Sequence, residues 1–299
     1  MIRLLVIALY LAGALRAQTA QAKARATLRA VEYLTREVPR WSKENGCYSC
    51  HNNGDAARAL YAAQQRGYTV PKLALADTTQ WLLAPAEWDH DRVKPAFSDK
   101  KLAHIQFAAA LAQAYEAGVV RDRAALRAAA ESLVPYQDAD GSWQVDAGSA
   151  AGSPVTYGTV LSTYLARRTL ELAGVTEGAA RATRWLASAK PHNILDAAAL
   201  LLALPSRQDC VEMILRAQSS DGGWGPNPMV APEPFDTAVV LLALREPAAV
   251  ARGRAFLIAR QRPDGSWPET TRPAGAQSYA QHISTSAWAT LALLADVER

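Results

Sequence analysis

RGRAFLIARQRPDGSW, residues 252–267, starts as a helix and ends in a stop signal. An Asp-Gly step after a helical stretch ends the helix, because glycine accepts the left-handed conformation at the C-terminal cap. Trp267 can then fold back over the helix end, with Gln261 near enough to bond the backbone groups freed there. The same ending recurs in QDADGSWQ at 137–144 and QSSDGGWG at 218–225. The front half recurs without the tail. RATRWLASAK sets Arg181, Ala182, Trp185 and Leu186 in this register, and RAVEYLTREV does so with Arg29, Ala30, Tyr33 and Leu34. A recurring helical unit makes the repeat the starting point for the fold.

Between these units lies a more apolar set: NGDAARALYAAQ, LAHIQFAAALAQA, VTYGTVLSTYLA, NILDAAALLLAL, PFDTAVVLLAL and ISTSAWATLALL. Most are apolar on more than one face, which requires burial inside a second layer of helices. Half of the 299 residues are apolar, and alanine and leucine dominate over β-branched runs. Those proportions favour helix and permit a large core. The expectation is an all-α protein, an α/α toroid of about six helical pairs.

The Gln-to-Trp segments resemble the QW motifs of squalene–hopene cyclases and of the prenyltransferase/squalene oxidase repeat family. The match R-G-x-x-F-L-x-x-x-Q-x-x-x-G-x-W from Arg252 to Trp267 is nearly complete, and the other two copies keep the Gln-to-Trp half. The resemblance covers most of residues 25–296. It implies a terpenoid cyclase-like α/α barrel in which QW segments tie outer helices together and inner helices line a central cavity. The catalytic motifs of that family are missing. No D-x-D-D occurs, and the nearest approach, WDHD at Trp88 to Asp91, reads as a solvated loop. Asp209 and Cys210 are adjacent, unlike the zinc ligands of protein prenyltransferases. Fold alone assigns no reaction, so the sequence leaves catalysis undecided. Trp288, Phe107, Tyr157, Tyr164 and Phe235 fall on inner helices and read first as core. Asp196 and Asp236 read as helix N-terminal residues.

The N-terminus, MIRLLVIALYLAGALRAQTAQAKA, has Arg3, an apolar run from Leu4 to Leu15, then small residues at Ala17, Ala20 and Ala22. This is the pattern of a secretory signal. Residues 1–22 are expected to be a cleaved signal peptide and 23–299 a single toroid domain in the periplasm or secreted. The apolar run is shorter than the roughly 20 residues a span needs, so no stable membrane span is expected after cleavage. A net charge of +4 without basic clusters gives no support to nucleic-acid binding.

One stretch departs from the repeat. ENGCYSCHNNG at 44–54 carries Cys47, Cys50 and His51 as C-x-x-C-H, the spacing that attaches haem c. By register, Cys47 falls roughly where later copies carry tryptophan. Three readings stand open. Cys47 and Cys50 could hold haem c by thioether bonds, with His51 as the iron (metal) ligand and His104 or His282 as the distal ligand. They could instead form a structural disulfide, with His51 capping the next helix. They could hold zinc, although an adjacent Cys-His pair is an unusual zinc spacing. His51, His104, His192 and His282 all sit near inner-helix starts, which a toroid gathers at one rim, and His90 lies in a loop at a similar level. Cys210 reads as a buried small hydrophobe. Two functions follow: an exported toroid carrying covalent haem c, working with a redox partner, or a cyclase-like toroid binding an isoprenoid or other apolar small molecule.

Overall fold

A computed structural model describes residues 2–89, 99–145, 151–270, 272 and 277–295, with side chains from residue 17 onward. Twelve α-helices are present among the described residues: α1 (Ile2–Asn45), α2 (Ala57–Gln65), α3 (Lys72–Leu82), α4 (Lys100–Glu116), α5 (Arg123–Glu131), α6 (Thr159–Ala173), α7 (Thr176–Ser188), α8 (Ile194–Ala203), α9 (Gln208–Ala217), α10 (Pro234–Ala243), α11 (Pro247–Arg260) and α12 (Tyr279–Leu294). Side-chain oxygens set several starts. Asp99, Asp122, Asn193 and Ser278 accept from backbone N–H groups in the first turns of α4, α5, α8 and α12.

The even-numbered helices form an inner ring. Each packs on the next, and α12 returns to α2 and to the turn before it, so the ring is closed. The odd-numbered helices lie outside. Burial separates the layers: α4 is buried on every face from Leu102 to Gln113, whereas α7 buries only Gly178, Ala179, Ala182 and Leu186. This is the α/α toroid of six helical pairs.

The three Gln-to-Trp turns are staples with the same wiring. Each tryptophan is fully buried. The indole N–H of Trp143 donates to Leu133 O at 3.0 Å, that of Trp224 to Ile214 O at 2.8 Å, and that of Trp267 to Leu257 O at 2.7 Å. Each glutamine bonds its own turn and then the next outer helix. Gln137 reaches Gly178 O, Gln218 reaches Ala249 O, and Gln261 reaches Ala26 O. The last of these joins α11 to α1 and closes the outer layer.

The repeat's leading arginine belongs to the staple of the preceding copy. Arg181, Arg252 and Arg29 bond the side-chain oxygens of Gln137, Gln218 and Gln261. Gly265 shows why the turn is glycine: its φ is +98°, and a Cβ there would lie 2.2 Å from Arg29 O.

Four expectations need correction. Trp88 is not part of a solvated loop: it is fully buried and donates to Trp81 O at 3.1 Å, a fourth stapling tryptophan on a shorter turn. His90 and Asp91 of the same segment lie outside the described residues. Cys47 does not replace a stapling tryptophan, because α1 runs on to Asn45, well past the point where α11 stops after the matching Leu257. Tyr157 precedes α6 at φ +63° instead of lying on it. Asp236 is more than a helix-start residue, since Arg272 is paired with it inside the ring.

Candidate functional site

Two clusters of buried polar groups stand out, and both begin in the turn between α1 and α2. Residues Cys50–Ala56 form a π-helix, with the Ser49 hydroxyl accepting from Asn52 N at 3.1 Å. Wide π turns concentrate at functional sites. Asn52 donates to Glu37 O at 2.7 Å and to the Tyr279 hydroxyl at 2.9 Å, while Asn53 donates to Thr78 at 2.8 Å. Asparagines therefore do here what glutamine and tryptophan do in the staples. Gly54 lets the turn press on α4: a Cβ there would meet Gln106 Cβ at 2.9 Å.

The His51 ring of this turn packs against α1 and α12. The His51 ring lies 5.0 Å from Trp41 and 5.7 Å from Tyr279, both edge to face, and those two rings stack on each other at 5.6 Å. Burial lowers its pKa to about 4, so the imidazole is neutral at pH 7, and its Nε2 has no hydrogen-bond partner. Burial pushes the Cys50 thiol up to about 12. Cys47 and Cys50 are not joined by a disulfide. The residue types of haem c attachment, two thiols and an unpartnered imidazole nitrogen, are thus present within five residues of one another.

The other histidines stand in separate surroundings. His282 lies beyond Tyr279, one helical turn along, bonded to Arg262 at 3.1 Å and 3.4 Å from Glu269. It lines an open groove of about 450 Å³ with Tyr33, Glu37, Arg40 and Tyr279. His104 is held by Ser132 at 3.2 Å and Asp89 at 3.4 Å, against Trp88 and Tyr136. Neither shares a ring contact with His51. Among the described residues, no three His, Cys, Asp or Glu side chains form a group able to hold a metal ion. Cys210 is fully buried on α9, as expected.

The second cluster occupies the axis of the inner ring. Asp55, four residues after His51, accepts from the Tyr157 hydroxyl and from Gln106 Nε2 at 3.0 Å. Tyr157 reaches it from the start of α6, across the ring. Burial raises the Asp55 carboxyl above the usual carboxylate range, opposed by the positive charge of Arg58 and by the hydrogen bonds around it. Arg58 lies 4.1 Å above the Trp288 ring. Trp288 in turn meets Tyr157 at 5.5 Å and Phe235 at 5.7 Å, both edge to face. Beside them Asp236 pairs with Arg272, which also bonds Glu233 at 2.8 Å. Arg58 Nη1, Gln106 Oε1 and Trp288 Nε1 are buried without hydrogen-bond partners. Protein interiors seldom leave such groups unpaired, and these three lie close together on the ring axis.

One turn below this layer the ring opens into a bowl of about 730 Å³. Ala62 and Leu291 of its lining sit one helical turn after Arg58 and Trp288, and Leu172, Leu242 and Leu294 complete its apolar wall. Gln65, Gln113 and the Arg168–Glu116 pair form the polar rim.

Sequence reasoning singled out Cys47, Cys50 and His51 and passed over Asp55, Arg58 and Gln106. Their only signal was a polar residue on an otherwise apolar inner helix.

No family model matches the chain. Its fold is that of solved type II terpene cyclases. The cyclase MstE from Scytonema, in complex with geranylgeranyl dihydroxybenzoate, superposes with a TM-score of 0.59 at 14% identity, covering 93% of this chain and 98% of that one. A protein from Actinoplanes superposes with a TM-score of 0.58 at 18% identity, over 91% and 98%. In sequence, 74 residues are 34% identical to drimenyl diphosphate synthase of Streptantibioticus cattleyicolor. That match spans 23% of this chain and 14% of the synthase.

Proposed function

We propose that this is a terpenoid cyclase-like protein that binds an apolar, isoprenoid-type small molecule in the axial bowl. The observation that carries the reading is the 730 Å³ opening at the end of the closed inner ring, where four leucines lie beside a rim of Gln65, Arg66, Gln113, Glu116 and Arg168. Its volume lies in the range of small-molecule sites. Binding is favoured over carbocation cyclisation by two features of the layer above. Burial makes Asp55 a weaker acid than a free carboxyl, the opposite of what protonating an alkene requires. A cation developing about 7 Å from the Arg58 guanidinium would also be destabilised by roughly 2 kcal/mol at an effective dielectric near 20. The test is calorimetric titration with farnesol. The native protein should bind it, and Leu291→Trp, which fills the bowl, should weaken binding at least tenfold without lowering the melting temperature. Equal binding by both proteins would sink the reading.

A second reading rests on the unpartnered Nε2 of His51. On this reading Cys47 and Cys50 would hold haem c by thioether bonds, and His51 would ligate its iron. When bound, the haem supplies a one-electron couple for a redox partner. Trp41 and Tyr279 fix the imidazole plane, and burial keeps the ring neutral and able to coordinate. His104 and His282 would be the candidates for a second iron ligand. The leader at residues 1–22 would take the protein to the periplasm or outside the cell, where haem c attachment takes place. A pyridine haemochrome spectrum of protein made with haem-attachment machinery decides it. Covalent haem lost in Cys47→Ala or Cys50→Ala supports the reading, and a colourless native protein removes it.

A further inference from the structure

The third staple leaves open a contact that the other two close. In each Asp-Gly turn the aspartate Oδ1 accepts from the backbone N–H two residues on, in Asp140, Asp221 and Asp264 alike. The second oxygen differs. Trp185, on the next outer helix, donates its indole N–H to Asp140 Oδ2 at 3.1 Å. The counterpart of Trp185 in the second copy is Phe256, which has no donor, and Arg260 one turn on bonds Asp221 Oδ2 at 3.3 Å. In the third copy the counterparts lie on α1: Tyr33 stands for Trp185, and Glu37 stands for Arg260. The Tyr33 hydroxyl makes no hydrogen bond among the described residues, although the residue is only 7% exposed, and Asp264 Oδ2 has no partner there either. Both residues line the groove of about 450 Å³ beside α1 and α12. Burial raises the Tyr33 hydroxyl above the usual tyrosine range, and the charges of Glu37 and Asp264 add to it, so the hydroxyl keeps its proton. Glu37, Asp264 and Glu269 line the groove against Arg40, which Glu37 shares with Glu44. Arg262, behind the lining, pairs with Glu269, and Arg36 bonds the main-chain oxygen of Asp264 at 3.3 Å. The lining therefore carries a surplus of negative charge.

We propose that this groove is a second binding site, separate from the bowl, and that it takes a small alkylammonium bearing a hydroxyl. A hydroxyl both accepts and donates, so one placed between Tyr33 and Asp264 Oδ2 spans the gap that an indole closes in the first copy. The positive charge meets the carboxylate surplus of the lining. Tyr33 and Tyr279 supply the aromatic rings that attract ammonium groups, and Tyr279 is steadied by stacking on Trp41. An anion would face three carboxylates. A neutral apolar molecule would strip water from them and give nothing back.

The test is calorimetric titration at about pH 8, above the ordinary histidine range, with choline and with dimethylbutanol, in which carbon replaces the ammonium nitrogen. Native protein should bind choline about tenfold more tightly than dimethylbutanol. Asp264→Asn keeps a side-chain oxygen for the Ser266 N–H and loses the charge. It should weaken choline about fivefold and change dimethylbutanol far less. Tyr33→Trp sets an indole where Trp185 stands in the first copy, closing the contact to Asp264 and filling the groove. Both probes should then be lost while the melting temperature holds. Equal affinities for the two probes in native protein, or binding of neither, would overturn the proposal and leave the bowl reading untouched. Undiminished choline binding by Tyr33→Trp would place the ligand elsewhere and overturn it as well. Should Tyr33→Trp fail to fold, Asp264→Asn decides alone: an unchanged choline affinity there sinks the site.

Discussion

Four of the six connections from an outer to an inner helix end on a buried tryptophan; those between α1 and α2 and between α7 and α8 do not. In the three full staples, at Gln137–Trp143, Gln218–Trp224 and Gln261–Trp267, the glutamine and indole polar atoms all find partners. The Cys50–Ala56 turn does the same mechanical task with Asn52 and Asn53, yet leaves His51 Nε2 enclosed and unused. The difference separates connections whose polar side-chain atoms are all paired from one that leaves an imidazole nitrogen buried and unpaired.

The sharpest way to break the contrast is to damage a staple. Trp267→Ala removes a fully buried indole and its bond to Leu257 O. A loss of about 3–5 kcal/mol is expected in denaturant unfolding, and a loss under about 1 kcal/mol would mean the staple is ornamental. The second experiment asks whether the Cys-His turn alone responds to acid. Free histidine titrates near 6.5 and His51 in the folded, haem-free protein near 4. The unfolded chain then takes up the proton first, so stability falls as pH drops from 6.5 towards 4. At about 1.4 kcal/mol per pH unit, His51 accounts for roughly 3 kcal/mol of that loss. His51→Leu in haem-free protein should flatten the acid limb by this amount, measured as unfolding free energy at several pH values. An unchanged limb would place the sensitivity elsewhere. The smallest effect is expected from Arg29→Ala. Arg29 bonds Gln261 Oε1 at 2.5 Å on an exposed edge, while Gln261 keeps its bond to Ala26 O. Its removal should cost under about 1 kcal/mol. A larger loss would show that the arginine, and not the glutamine, closes the outer layer.

Much of this architecture can be read in the chain because its determinants are local. Asp264, Gly265 and Trp267 sit a few residues from the helix they end, and the all-round apolar pattern of α4 or α10 announces burial without knowledge of the neighbours. Trp88 escaped that reading because its indole reaches back only to Trp81, on a turn without glutamine or glycine. The arginines at 29, 181 and 252 look like helix-surface residues until the preceding glutamine is seen beside them. The axial layer is the least legible part. Asp55, Gln106, Tyr157 and Trp288 lie on four different segments, and only ring closure makes them neighbours. The thiol and imidazole signature at Cys47, Cys50 and His51 is plain in the sequence, whereas the encasement of His51 by Trp41 and Tyr279 depends on α12 returning to the first turn.

The bond from Gln261 to Ala26 also sets an order of events. Gln137 and Gln218 reach partners 41 and 31 residues away, whereas Gln261 reaches across 235. Short loops close readily and long ones slowly, so the two internal staples can set while the chain is still being synthesised. The clasp with α1 must wait for nearly the whole polypeptide. Until then the growing molecule is an open arc, with the apolar edge of its first helix pair and the last inner helix it has made both unprotected. Of all its contacts, the one that completes the ring is the one a shielding chaperone would most have to wait for.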